Sequence, residues 1–144
     1  RNRSHERMVH TARSGVQNIV KGSQASATSK TTGLNLNSVA RTSMEELRLD
    51  YENFLRQNNL PVWPDDDRRR RSLTGRRCSS VNEITLWVLQ KHQRQSTGPP
   101  SLASSLPEIT ANAAITLIIV ACNLLDREIE MLAKRFETEM DLMA

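Results

Sequence analysis

The fold is decided by Asn112–Phe136, NAAITLIIVACNLLDREIEMLAKRF. Its apolar residues Ile115, Ile118, Cys122, Leu125, Ile129, Leu132 and Phe136 recur at alternating spacings of three and four. A 3.5-residue repeat sustained in this way keeps those side chains on one face of a helix. Leu117, Val120 and Leu124 form a second apolar line along the first half. A helix that is apolar on two sides has two sides to bury. The spacing predicts a helix that packs inside its own bundle and also against a neighbour or a second subunit, with Leu117, Val120 and Leu124 as the oligomer interface.

Working outward, Pro107 and Glu108 suit the first turn of that helix. A missing amide costs nothing there, and the helix dipole favours an acid. Ser96–Ser105 is rich in Ser, Pro and Gly and reads as a flexible linker. Before it, Ser80-Val81-Asn82-Glu83 has the form of a capping box. It predicts a short helix to about Arg94, with Val81, Ile84, Val88 and Leu89 facing inward. Leu60–Ser79 breaks the helical pattern, because Pro61 and Pro64 bias their preceding residues away from helix. That segment holds Asp65–Asp67, then Arg68–Arg71, Arg76 and Arg77. A long helix is expected from about Thr32 to Asn58, with Leu36, Ala40, Met44, Leu47, Tyr51, Phe54 and Leu55 inward. Arg41, Glu45, Arg48, Glu52 and Arg56 mark its solvated face. Another is expected from about His5 to Val20, stopped by Gly22. No strand pattern or internal repeat is legible. The fold class is all-α, an antiparallel up-and-down bundle of the four-helix type in a single domain over residues 1–144, with an insertion at about 61–106 that carries the short helix and the flexible loop.

Composition agrees with this reading. Aromatics make up 3% of 144 residues, so the core must come mostly from Leu, Ile, Val, Ala and Met. Cys78 and Cys122 sit in unlike contexts and are expected to stay reduced, in a cytoplasmic setting. No secretory signal is legible. The apolar run Ala113–Leu125 is shorter than the roughly 20 residues a membrane span needs. The chain opens on Arg1, which predicts a missing or trimmed natural start.

The net charge of +4 and a pI near 9.6 make nucleic acid a plausible partner. The functional reading of Arg68, Arg69, Arg70, Arg71, Arg76 and Arg77 is phosphate contact. The plainer reading is a solvated loop in which Asp65–Asp67 neutralise the nearest arginines. Lys21, a further nucleic-acid-binding candidate, adds charge around the first helix with Arg3, Arg7 and Lys30; the functional reading is a basic ring lining when subunits assemble, and the plainer one is ordinary solubility. Without an aromatic platform or a legible recognition helix, binding is expected to be directed at the backbone. Trp63 is expected to plug its loop onto the bundle end. His5, His10 and His92 lack metal-ligand spacing, and no cofactor is implied. Glu45–Glu46 and Asp126–Glu128 do not pair for acid–base work. No phosphate loop or nucleophile–base pair is present. The expectation is a protein that is not an enzyme.

Three segments resemble a known family. Met8–Ser23, with Asn18-Ile19-Val20-Lys21-Gly22, is similar to the family's second helix, which usually ends Asn-Ile-Ala-Glu-Gly. Ala40–Leu47, with Met44-Glu45-Glu46-Leu47, resembles its third. Asn112–Phe136, with Asn123-Leu124-Leu125-Asp126-Arg127, resembles its fourth. The family is the bacterial four-helix bundle that includes ribosomal-RNA intervening-sequence proteins and the accessory variability determinant of diversity-generating retroelements. The resemblance covers about two-thirds of the chain and implies ring-like homo-oligomers, commonly pentamers. It also implies binding of RNA or DNA and a reverse transcriptase as partner. Lys21 departs from the usual Glu, and the family's first helix would precede residue 1. The rival expectation is an oligomerisation scaffold with no nucleic-acid role.

Overall fold

A computed structural model describes residues 30–95 and 104–143, with side chains from residue 35. The helix expected over His5–Val20, Lys21, and residues 96–103 of the expected linker lie outside the described residues. The described chain is all-helical, in four helices: α1 (Lys30–Gln57), α2 (Arg68–Arg76), α3 (Val81–Gln95) and α4 (Leu106–Met143). Three of them match expected helices. The fourth, α2, lies inside the segment expected to be a loop, and this is a correction. Its cause is Asp67, whose side chain accepts the Arg69 amide and caps the helix once Pro64 has been passed.

Contacts divide the chain into two compact units. One holds the described residues to Asp50 together with those from Ile118. The other is Tyr51–Leu117.

In the first unit, α1 buries Ala40, Met44 and Leu47, and α4 buries Ile118, Cys122, Leu125 and Leu132. The heptad seam holds as far as Leu132. Phe136 is exposed, as are Met140, Leu142 and Met143 beyond it. Outside the core, Arg41 donates to Asp126 at 2.9 Å and to Glu45 at 3.0 Å. Burial pushes the Cys122 thiol up. Both cysteines are free.

In the second unit, α1 ends in a Schellman motif. The Leu60 amide reaches the Leu55 carbonyl at 2.8 Å, and Asn59 takes the left-handed conformation. Its core packs Trp63, Leu73, Trp87, Val88, Ile109 and Ala113, with Cys78 and Leu117 against them. α3 sits in a different rotation from the one expected. Val81 and Leu89 are exposed, and Trp87 is buried instead. One large ring fills the space that several aliphatics were expected to fill. Ser80 accepts the Glu83 amide as the box requires. Glu83 reaches one residue further back than a box does, to the Ser79 amide at 2.6 Å.

By length and composition α4 could cross a membrane, being longer than the apolar run read from the sequence. Yet 56% of its most apolar stretch is buried inside the protein.

Candidate nucleic-acid interface

The six arginines between residues 68 and 77 do not share one environment. Helix geometry turns Arg70 and Leu73 inward, and both are buried. Arg70 is 5% exposed and stands at the centre of a polar network. Its Nη2 donates to the Trp63 carbonyl at 2.6 Å, and its Nε donates to the Pro64 carbonyl at 3.0 Å. Its Nη1 donates to Thr116 Oγ1 at 2.8 Å and to the Asn112 carbonyl at 3.3 Å. A planar fork with five N–H donors suits such a ring of acceptors, whereas a lysine could not reach them together.

Asn112 completes the network and is fully buried. Its Oδ1 accepts the Trp63 amide at 2.8 Å, and its Nδ2 donates to the Pro61 and Glu108 carbonyls. The indole of Trp63 donates to Glu108 Oε2 at 2.9 Å. Trp63 therefore plugs its loop as expected, through hydrogen bonds as well as ring burial.

Arg69 is committed too. Its guanidinium lies 3.9 Å from the Trp63 ring centroid and forks onto both oxygens of Asp67. A further bond joins it to Ser104. The Arg69 guanidinium holds the Asp67 carboxyl below its ordinary value. Neither Arg69 nor Arg70 stands ready for phosphate. For Arg70 this corrects the sequence reading: a buried guanidinium holding carbonyls cannot also reach a ligand in solvent.

Arg68, Arg71, Arg76 and Arg77 remain on the exposed side. Arg76 touches Gln90 of α3 at 3.1 Å. Arg77 ends α2 in the left-handed conformation, φ 50°, with its amide on the Thr74 carbonyl. Gly75 directly precedes them, with open space at its Cβ position. Asp65 and Asp66 are exposed in the turn before α2, the nearest opposing charges in sequence after Asp67.

The expected oligomer interface also divides. Leu117 is half-buried and packs on the tryptophan core of its own chain, so it does not belong to an uncovered patch. Val120 is half-buried, and Leu124 is 59% exposed. Sequence reasoning missed Asn112 and Thr116. The signal was available, because both are polar residues within the apolar helix whose face they share. Among the described residues, no cluster of His, Cys, Asp or Glu could hold a metal.

No family model matches the chain, and no curated protein or solved structure matches it either.

Proposed function

We propose that this is a non-enzymatic helical-bundle protein that binds the backbone of nucleic acid through Arg68, Arg71, Arg76 and Arg77. The reading is carried by one observation: these four guanidinium groups stand exposed on one short helix and its end, while Asp67, the acid nearest to them on the helix, is engaged by Arg69. Guanidinium forks fit phosphate oxygens, and each phosphate neutralised releases counterions. The resemblance read from the sequence points the same way. On that reading the helices form an antiparallel up-and-down bundle, several copies assemble, and a reverse transcriptase or ribonucleoprotein is the protein partner. The setting is cytoplasmic and off the membrane.

Titration of the full chain with single- and double-stranded nucleic acid at two salt concentrations tests this. Affinity should fall with salt, with a log–log slope of about −0.7 to −0.9 per phosphate neutralised. Replacing Arg68, Arg71, Arg76 and Arg77 with Ser should flatten that slope and weaken binding to all sequences. Absence of binding at low salt defeats the reading.

The scaffold reading is favoured by one different observation, the exposure of Leu124 with Val120 half-buried beside it on α4. Val120→Glu with Leu124→Glu should dissociate an oligomer while leaving helical circular dichroism intact. A wild-type chain that sediments as a monomer removes that reading.

A further inference from the structure

We propose that Arg68–Gln95 is a helix-turn-helix that reads duplex DNA, with α3 as the helix that enters the major groove. The inference rests on the nucleic-acid reading above. It narrows that reading to one ligand class, one groove and a set of side chains that face the bases.

The dimensions come first. α2 has 9 residues, α3 has 15, and Arg77–Ser80 is all that connects them. Two helices joined by so short a turn either fold back side by side or cross. The contacts decide for a crossing. Ser72 accepts from the Trp87 indole, and Arg76 donates to Gln90. Moving forward along α2 therefore moves forward along α3 as well. In an antiparallel hairpin the partner would move backward. Leu73, Trp87 and Val88 lie in the shared core and hold the crossing. Arg77 supplies the left-handed residue that turns the chain between the helices.

The outward face of α3 is the second observation. Asn82, Thr85, Leu86 and Leu89 are spaced three, four and seven apart from Asn82 and are all exposed. None carries a charge. The first-turn acid, Glu83, is folded back onto Ser79 and does not oppose a phosphate. A helix in the major groove needs hydrogen-bonding and methyl-bearing side chains near its N-terminus, and cations on the elements beside it. Asn82 and Thr85 supply the first kind, Leu86 and Leu89 the second, and Arg68, Arg71, Arg76 and Arg77 the cations. An asparagine pairs with the N6 and N7 edge of adenine, and leucine methyls pack on the thymine methyl. The preferred site therefore carries A·T pairs at its centre. The same uncharged face could meet a protein helix, but the four exposed arginines on the helix before it and at the turn favour a polyanion.

The test selects duplexes with a randomised central segment on the full chain. It then maps interference by 7-deaza-adenine, which alters the major groove, and by methylation at adenine N3, which blocks the minor groove, across the selected sites. The expected result is an A·T-centred consensus with interference confined to the major groove. Asn82→Ala with Thr85→Ala should reduce preference for the selected site over random duplex about tenfold or more. The salt slope and the tryptophan fluorescence should stay unchanged. Leu86→Ala with Leu89→Ala should do the same. Binding with no consensus, or stronger binding to single-stranded RNA, overturns the recognition helix while the backbone reading survives. No binding to any nucleic acid overturns both.

Discussion

The two units are held together by different physics. Around α1 and the C-terminal part of α4, the core is Ala40, Met44, Leu47, Ile118, Cys122, Leu125 and Leu132, and of the buried polar residues only Asn37 lies in this unit among the described residues. In Tyr51–Leu117 the core has two tryptophan rings with Arg70, Asn112, Glu108 and Thr116 buried among them. Apolar burial is non-directional and tolerates repacking. A buried polar network is directional, and one missing partner leaves others unsatisfied. The first kind of core is written as a spacing, and the second as a set of partners far apart in sequence.

Arg70→Ala should give the largest effect. It removes the guanidinium from the buried Trp63 and Asn112 carbonyls, and each buried group left unpaired costs about 1–3 kcal/mol. A loss of about 3 kcal/mol or more is expected in urea unfolding. Both tryptophans of the chain lie in this unit, so their fluorescence reads it selectively. Arg70→Lys should recover little, because an ammonium cannot span the same acceptors. A small loss with Arg70→Ala would erase the contrast between the two cores.

Leu132→Ala comes next. Leu132 is 1% exposed, and its truncation should cost about 2–5 kcal/mol through lost burial and a cavity. The loss should show in far-ultraviolet circular dichroism. Comparing that curve with tryptophan fluorescence asks whether the two units melt together. Coincident curves would mean that the distinction is one of chemistry alone, without independent stability.

These differences explain what was legible. α1 and α4 follow from residue spacing alone, because each repeats an apolar stripe long enough to count. α2 does not, because its inward face is only Arg70 and Leu73, and an arginine counts as polar in any periodic reading. In α3, Val81 and Leu89 match a helical stripe as well as Ile84 and Val88 do. Only the size of Trp87 chooses the rotation. Of the candidate site, charge and position were legible, but which arginines reach solvent was not. That depends on Trp63 and Asn112, which lie 49 residues apart.

Asp67 offers a finer test. Asp67→Ala removes the cap on α2 and should cost about 1 kcal/mol. Asp67 is held below its ordinary value in the folded state, so its contribution is present above the unfolded value and fades as pH falls through the folded one. Wild-type fluorescence melts should weaken below about pH 4, and Asp67→Asn should lose part of that dependence. An equal acid response in the two proteins would remove the Arg69 fork from the account.

Gly75→Ala is the smallest change in this series, and it is a stabilising one. A methyl there meets nothing within 4 Å, and the backbone is helical. The expected gain is about 0.5–1 kcal/mol. A loss would mean that α2 needs its glycine for a close approach.

The two left-handed residues, Asn59 and Arg77, have different consequences for anyone evolving this protein. Asn59 tolerates that conformation, whereas an arginine pays roughly 1–2 kcal/mol for it. A heat-based screen of random variants should therefore reach Arg77→Gly early and score it as an improvement. On the binding proposed here, the same clone would have lost a cation at the turn. At residue 77, a library ranked by melting temperature and one ranked by ligand capture should favour opposite residues.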